Sequence, residues 1–555
     1  MKRIIPLVGL VAALAACSSG TAATSQQQAP AQQASAAGFQ EQHKGGTLKL
    51  LAKAGDGTLD PHINYSNGNW QTFQALYDGL LAFKKVGGEA SYELTPDLAE
   101  AMPQVTDGGK TYAFTLRKGI KFSNGDDVTV DDVKASFERI FKASGPTSGT
   151  FYAGIVGAAA CVKKPADCSL DDGVQVDKAT GKITIHLTAP DAEFPLKLAL
   201  PHSVILPKGT PDKDQGTKPI PGTGAYTAES YDPNKMLKLV RNPHFTEWSR
   251  EAQPQGYPDE IDYSYGLTVE GAVTAIENGQ ADWSFDPLPA DRLTEIGTKY
   301  ANQAHVNPLS AFWYIPLNTR IAPFNKVEAR QALQWAIDRN AVVKMFGGAN
   351  TAAPACTLLP VGIPGHADFC DYPKQDLAKA KQLVQQSGTA GQDVAVTVAD
   401  DDVSKQIGEY VRSVLEQIGY QAKLKVVSTN IQFTYIQNTK NDVQASVTQW
   451  YADYPAASDF LNVLLSCASF REGSDASINI AGFCDKDVDT KMAAAMQKDQ
   501  TGDHSAWAAI DKELMQKSPI VPLFQPKQID FVSSKVGNFT FHKQFFMLID
   551  QLWVK

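Results

Sequence analysis

Residues 107–133 read DGGKTYAFTLRKGIKFSNGDDVTVDDV, and this stretch decides the fold prediction. Apolar and polar side chains alternate over 110–117, which predicts a β-strand. The Asn-Gly pair at 124–125 then predicts a tight turn. Thr129, with Asp132 three residues later, resembles a helix capping box in which Asp replaces the usual Glu. The predicted order is therefore strand, turn, helix.

The same periodicities predict α/β structure on both sides of this stretch. Alternating apolar residues predict further strands at 45–51, 174–176, 183–187, 394–398, 424–427 and 443–447. A helical stripe from Ile407 to Ile418 lies between two of these strands. Such a strand-helix-strand crossover implies a largely parallel sheet with its ligand crevice at the carboxyl ends of the strands. The loop after Val447, which carries Trp450 and Asp453, is expected at that crevice.

The N-terminus has the pattern of a secretory signal. Lys2 and Arg3 precede an apolar run over 4–16 that stops at Cys17. The run is too short to span a membrane, so we predict a removable signal peptide at 1–16. Leu14-Ala15-Ala16-Cys17 resembles a bacterial lipobox, which implies a lipidated Cys17 as the membrane anchor; the alternative is ordinary cleavage beside an incidental cysteine. Residues 17–44 are rich in Ala, Gln and Ser and predict a disordered tether.

Length, charge and missing motifs exclude several classes of function. About 510 residues follow the tether, more than one core supports, so two or more lobes are expected. A formal net charge of -9 without a basic run argues against nucleic-acid binding. The chain contains no G-x-S-x-G, H-E-x-x-H or Walker-type motif, and its nine histidines are scattered. We therefore expect no enzyme activity, no cofactor and no metal site.

Six cysteines remain after Cys17, and they lie in close sequence pairs. The pairs are Cys161 with Cys168, Cys356 with Cys370, and Cys467 with Cys484. Six cysteines allow 15 connectivities. Local pairing is the simplest prediction, because each loop is short and the compartment outside the membrane is oxidising. The alternative is free buried thiols.

Several sequence blocks resemble a known family when taken together. The blocks are residues 107–122 and 131–133, Gly222-Thr223-Gly224-Ala225-Tyr226, Arg241-Asn242-Pro243-His244-Phe245, Leu317-Asn318-Thr319, Pro323-Phe324, residues 330–339 and 379–383, and Trp450-Tyr451-Ala452-Asp453-Tyr454-Pro455. In this order they resemble the peptide- and nickel-binding family of extracellular solute-binding proteins, often called family 5, which serve ABC importers. The resemblance covers most of the chain after the tether.

The resemblance implies a bilobed α/β periplasmic-binding-protein fold, of the Venus-flytrap type, with an extra subdomain in lobe I. By this resemblance lobe I spans 45–300 with the subdomain near 76–195, lobe II spans 301–525, and 526–555 returns to lobe I. It also implies an extracytoplasmic monomer that closes its lobes around a peptide or other small solute. An ABC permease with its ATPase is the implied partner.

The resemblance further assigns binding residues. Asp453 matches the aspartate that pairs with a peptide's free α-amino group; the alternative is that it caps the following helix. The backbone of Gln449, Trp450 and Tyr451 would pair with an extended ligand as an added strand. The remaining candidates for lining pockets are aromatic residues that could equally be core: Tyr454, Trp313, Tyr314, Tyr65 and Trp70.

Departures from the family pattern leave the ligand open. Val447 stands where some oligopeptide binders carry an arginine for the ligand carboxylate, so recognition of that carboxylate is not located. Relatives in the family also bind oligosaccharides and nickel chelates, and a chelated metal could be held by a lone histidine such as His366. Peptides, and among them oligopeptides, are favoured because Asp453 suits an amine.

Overall fold

The computed structural model describes residues 39–55, 57–145, 147–148, 151–289, 291–474, 477–499 and 502–554. The predicted signal peptide, Cys17 and the tether up to residue 38 lie outside the described residues. From Phe39 onwards the chain contacts the folded body, because the ring of Phe39 stacks on Tyr257 with centroids 4.5 Å apart. The predicted tether therefore ends before residue 44. No helix among the described residues is long and apolar enough to cross a membrane.

A five-stranded sheet forms the first lobe. Its strands, in spatial order, are Trp283–Ser284, Thr47–Ala52, Glu260–Tyr265, Met236–Arg241 and Tyr226–Asp232. Leu48 and Leu50 on the opening strand are fully buried, and they pack in one core with residues from the whole first part of the chain. The helices of this part are Asn67–Leu76, Val130–Lys142, Ala158–Lys163, Phe194–Lys197, Val269–Glu277 and Leu293–Lys299.

The stretch that decides the fold prediction forms part of a smaller antiparallel sheet. The strands of this sheet are Gln104–Thr106, Thr111–Thr115, Lys182–His186 and Val174–Asp177, and a separate hairpin joins Leu81–Phe83 to Leu94–Pro96. The helix Val130–Lys142 follows the turn, and the Asp132 carboxylate accepts a hydrogen bond from the Thr129 backbone N–H at 2.8 Å. The predicted order of strand, turn and helix is confirmed, as are the strands predicted at 174–176 and 183–187, which pair with each other.

The second lobe contains two sheets. A five-stranded sheet joins Ala304–Pro308, Ile520–Phe531, Ala311–Pro316, Thr448–Tyr451 and Ala352–Pro354, and a three-stranded parallel sheet joins Gln421–Val427, Asp393–Ala399 and Ala445–Ser446. The predicted crossover helix is Asp402–Ile418, so the α/β unit is confirmed. The other helices are Val327–Ala336, Arg339–Met345, Leu377–Ser387, Thr429–Gln437, Ala457–Leu465, Lys486–Asp499 and Ser505–Lys517.

The chain ends in the first lobe. Phe545, Met547 and Leu552 are buried in the core that contains Leu48 and Leu50. The short strands of this segment are Val536–Gly537, Phe541–His542, Phe546–Met547 and Trp553–Val554. The long strand Ile520–Phe531 leads into it, since it pairs with Ala311–Pro316 at one end and with Ala304–Pro308 at the other. At its end this strand meets the first lobe, because Phe531 packs with Leu51 and the Trp283 indole N–H donates to Asp530 Oδ1 at 3.0 Å.

All three predicted disulfides are present. Cys161 bonds to Cys168, Cys356 to Cys370 and Cys467 to Cys484, with S–S distances between 2.04 and 2.07 Å. Each closes a short loop, of 7 to 17 residues in sequence separation. The prediction of local pairing is confirmed.

Candidate functional site

The strand Thr448–Tyr451 lies at the edge of the second lobe's larger sheet. Among the described residues it pairs along one side only, with Ala311–Pro316. The Ala452 N–H donates to the Ser310 carbonyl at 2.8 Å, which continues this ladder. Because backbone groups alternate along a strand, those of Gln449 and Tyr451 point away from the neighbouring strand. Trp450 is predicted from sequence to lie in a loop, whereas it lies in this edge strand.

Asp459 holds the end of this strand in place. Its Oδ2 accepts hydrogen bonds from the Asp453 backbone N–H at 2.9 Å and from the Trp450 indole N–H at 3.3 Å. The side chain is fully buried, and burial raises the pKa of Asp459 well above its ordinary value, with the neighbouring Asp453 adding to the shift. Trp450 itself is only 8% exposed and packs in the second lobe's core. Its indole N–H supports the loop through the bond to Asp459.

The Asp453 carboxylate meets a residue of the first lobe. The Tyr65 hydroxyl donates a hydrogen bond to Asp453 Oδ1. Tyr65 immediately precedes Ser66, the N-cap of the helix Asn67–Leu76, so a fixed backbone presents it. Burial raises the pKa of Asp453 to about 7, and the Tyr65 hydrogen bond partly opposes that rise. The cap of the helix after Asp453 is Ala456, so the alternative role of Asp453 as a helix cap is wrong.

Tyr65 and Tyr451 form a water-accessible surface beside Asp453. They leave 48% and 36% of their surfaces accessible to water. Nearby protein atoms nevertheless raise the pKa of both hydroxyls by desolvation. Tyr65 comes from the first lobe and Tyr451 from the second, so both lobes contribute to this surface.

Three of the aromatic candidates lie in cores. Tyr314 is 1% exposed and stacks on Phe312 with centroids 4.7 Å apart. Trp313 stacks on Phe524 at 5.4 Å, and its indole N–H is buried. Trp70 is 4% exposed beneath Tyr65, and its indole N–H donates to the Asn64 carbonyl at 3.3 Å. These contacts favour the alternative that the three aromatic residues pack in or against cores.

Other side chains of the first lobe also contact the Asp453 loop, and no sequence motif indicated them. The Gln544 side-chain amide donates to the Asp453 carbonyl at 2.9 Å and to the Ala452 carbonyl at 3.2 Å. The Tyr454 ring is 4% exposed and makes an edge contact with Phe151 of the first lobe at 5.7 Å. These contacts place the loop against the first lobe, so the lobes are closed over it. Gln544 lies 91 residues from Asp453, and no local pattern could have linked the two.

The histidine His366 and an open depression in the second lobe both lie outside this site. No group of three His, Cys, Asp or Glu in the described ranges could hold a metal ion. His366 is bonded through Nδ1 to the Leu359 carbonyl at 2.8 Å and through Nε2 to Asp368 at 3.2 Å. An open depression of about 850 Å³, lined by residues that include Asn318 and Arg320, lies beyond the far end of the strand Ala311–Pro316. It shares no residue with the Asp453 loop.

Comparison with known proteins places this geometry in a family. The sequence model of the family described as bacterial extracellular solute-binding proteins, family 5, matches residues 93–472, which is more than half of the chain. The chain belongs to this family. A probable deoxycholate-binding periplasmic protein of Escherichia coli strain K12 is 26% identical over 90% of this chain and 92% of its own length. The periplasmic oligopeptide-binding protein of Salmonella typhimurium is 26% identical over 87% of this chain and 88% of its own.

Solved structures agree on the fold of this family 5 protein. The clavulanic acid biosynthesis oligopeptide binding protein 2 superposes with a TM-score of 0.84 at 23% identity, covering 92% of this chain and 96% of that one. The murein tripeptide binding protein of Escherichia coli gives a TM-score of 0.73 at 21% identity, covering 92% and 98%. The bilobed periplasmic-binding-protein fold predicted from sequence is confirmed.

Proposed function

We propose that this family 5 protein captures peptides through their free α-amino group and delivers them to an ABC importer. The observation that carries the proposal is the Asp453 carboxylate, which lies where the two lobes meet and accepts a hydrogen bond from Tyr65 of the first lobe. A carboxylate that is taken out of water needs a compensating charge. A ligand ammonium supplies that charge together with up to three hydrogen-bond donors.

The edge strand supports an extended ligand. Backbone groups of Gln449 and Tyr451 point to the unpaired side of the strand Thr448–Tyr451. A peptide lying there would gain main-chain hydrogen bonds as an added strand, which gives affinity without reading every side chain. This mode of binding favours oligopeptides of varied sequence. The Tyr65 hydroxyl, already bonded to Asp453, would share the ammonium site.

The transport role rests on the family and on closure. Closing two lobes around a solute creates a shape that differs from the open form, and a membrane permease with its ATPase would recognise that shape. We further propose that residues 1–16 are a removable signal peptide, that Cys17 carries the lipid anchor, and that the protein is an extracytoplasmic monomer. The proposed first lobe spans 45–300, with a subdomain near 76–195, and includes the returning segment 526–555. The proposed second lobe spans 301–525. Export and lipidation are tested by mass analysis of the mature N-terminus, where an unacylated residue 17 would contradict the anchor.

A ligand screen tests the proposal. Solutes released from the purified protein are identified by mass spectrometry, and thermal stability is then measured with free-amine peptides, deoxycholate, oligosaccharides and nickel chelates. A ligand present at about 100 times its Kd stabilises the folded state by about 2.7 kcal/mol, which a melting curve resolves easily. We expect stabilisation by peptides with a free amino group. Stabilisation by deoxycholate, a sugar or a nickel chelate alone would replace the peptide assignment.

A further inference from the structure

Glu193 of the first lobe is buried against the second lobe. The Ser458 hydroxyl donates a hydrogen bond to Glu193 Oε1. Glu193 is 3% exposed and Ser458 is 2% exposed. The other carboxylate oxygen, Oε2, is buried and has no hydrogen-bond partner in the part of the chain that the structure describes. Burying a carboxylate with one unsatisfied oxygen lowers the stability of the closed form, and a functional role would explain why the contact is present.

The position of Ser458 links this contact to the Asp453 loop. Ser458 lies in the first turn of the helix Ala457–Leu465, directly before Asp459, which binds the Asp453 backbone N–H. Glu193 lies at the start of the first-lobe helix Phe194–Lys197. The bond therefore joins the two lobes at the base of the loop that carries Asp453. Opening the lobes separates its two partners.

The charges around Glu193 are mostly negative. The Lys197 ammonium is nearby, but it bonds to the Asp191 carboxylate at 2.7 Å. Asp499 also acts on Glu193, and it is itself bonded to His504 at 2.7 Å. On the second-lobe side, Glu193 faces the Tyr454 hydroxyl and Asp459. Burial is the main cause that raises the pKa of Glu193 to about 7, with Lys197 opposing the rise.

We propose that Glu193 is a positioning residue for ligand capture, which bonds to Ser458 on lobe closure and holds the Asp453 loop most firmly when it is protonated. The effect of Glu193 on ligand binding rests on the proposed function, whereas its effect on lobe closure does not depend on which ligand is bound. In the open form Glu193 meets water and titrates as an ordinary carboxyl. Closure therefore takes up a proton between that ordinary range and about pH 7. The closed form is favoured as the pH falls through this window and reaches its lowest population above it.

Substitutions of Glu193 separate its charge from its hydrogen bond. Glu193→Gln keeps an acceptor for Ser458 and removes the charge, whereas Glu193→Ala removes both. Glu100→Gln, at an exposed carboxylate of the first lobe, is the matched control. Small-angle X-ray scattering of the ligand-free protein at about pH 5.5 and about pH 8 measures the radius of gyration, which falls as the fraction of closed molecules rises. Calorimetry with a free-amine peptide at about pH 8 measures affinity.

The expected results differ between the variants. The wild type and Glu100→Gln become more compact at the lower pH. Glu193→Gln is more compact than the wild type at about pH 8 and changes less with pH, with Asp453 supplying the change that remains. Glu193→Ala is more open than the wild type at both pH values. At about pH 8 Glu193→Gln binds the peptide about tenfold more tightly than the wild type, since closure no longer buries a charge. A Glu193→Gln variant that follows the wild-type pH dependence, or a Glu193→Ala variant as compact as the wild type, overturns the proposal. If no amine ligand binds, the function proposal fails while the scattering result still decides this one.

Discussion

The loop that carries Asp453 and the helix turn that carries Asp459 place two carboxylates six residues apart in very different surroundings. Asp453 lies where the lobes meet and accepts a hydrogen bond from Tyr65 of the other lobe. Asp459 is fully buried within its own lobe and binds the Asp453 N–H and the Trp450 indole N–H. Asp459 therefore fixes the loop, whereas Asp453 is the acid that we propose meets a ligand.

Removing the charge of Asp453 gives the largest expected effect on binding. Asp453→Asn keeps the size of the side chain but cannot balance an ammonium. We expect affinity for a free-amine peptide to fall about 100-fold, because a buried ion pair loses one partner. Isothermal titration calorimetry measures the loss. The melting temperature without ligand should not fall, since the variant no longer buries a carboxylate, and a lower value would mean that Asp453 is structural.

Removing Asp459 should weaken stability and binding together. Asp459→Ala leaves two N–H donors without their acceptor, at a cost of about 2 kcal/mol in the free energy of unfolding. The Asp453 loop is then less well held, and we expect peptide affinity to fall about tenfold. Asp459→Asn retains an acceptor oxygen and should restore most of both. Denaturant titration and calorimetry check the pair, and an Asp459→Ala variant with normal stability would contradict the role assigned to Asp459.

The pH dependence of binding should report Asp453. In the ligand-free closed form burial raises the pKa of Asp453 to about 7, so an arriving ammonium must displace a proton below that pH. Affinity is then expected to rise about fifteenfold from pH 5.5 to 7, and to decline once the peptide's α-amino group loses its proton near pH 8. Glu193 acts in the opposite direction, so the profile is measured in Glu193→Gln. An Asp453→Asn, Glu193→Gln double variant should lose the rising limb.

The smallest expected effect concerns the phenol beside Asp453. Tyr65→Phe removes one hydrogen bond to the carboxylate, and we expect affinity to fall about fivefold, equivalent to about 1 kcal/mol. Tyr314→Phe is the matched control, because Tyr314 lies in the second lobe's core. Its affinity should stay within about twofold of the wild type. Calorimetry of both variants distinguishes Tyr65, which lies at the proposed ligand site, from Tyr314, which packs in a core. Equal losses of affinity would mean that this distinction is wrong.

Much of the fold could be predicted from local sequence patterns. The stretch 107–133 combines alternation, a turn and a capping residue, so three independent local signals agree on one arrangement. The parallel unit around Asp402–Ile418 was equally readable from its two periodicities. Local cysteine pairs likewise became disulfides. These features depend on residues close in sequence, where spacing carries most of the information.

The composition of the site depended on contacts between distant residues. Alternation cannot tell which side of a strand faces a cavity when both sides are buried, so Tyr314 was indistinguishable from a pocket residue. Gln544 and Glu193 belong to no motif and reach the Asp453 region only because the lobes pack together. The edge position of Thr448–Tyr451 similarly depends on which strands pair, a property of the whole sheet.

We propose that Asp453 recognises a ligand's free amino group. To test this role, wild type and Asp453→Asn are each titrated by calorimetry with a peptide and with its N-acetylated form. We expect the wild type to bind the free-amine form about 100-fold more tightly, and Asp453→Asn to bind both forms equally weakly. Equal affinity of the wild type for the two peptides, or a preference for the free amine that survives in Asp453→Asn, would contradict the claim.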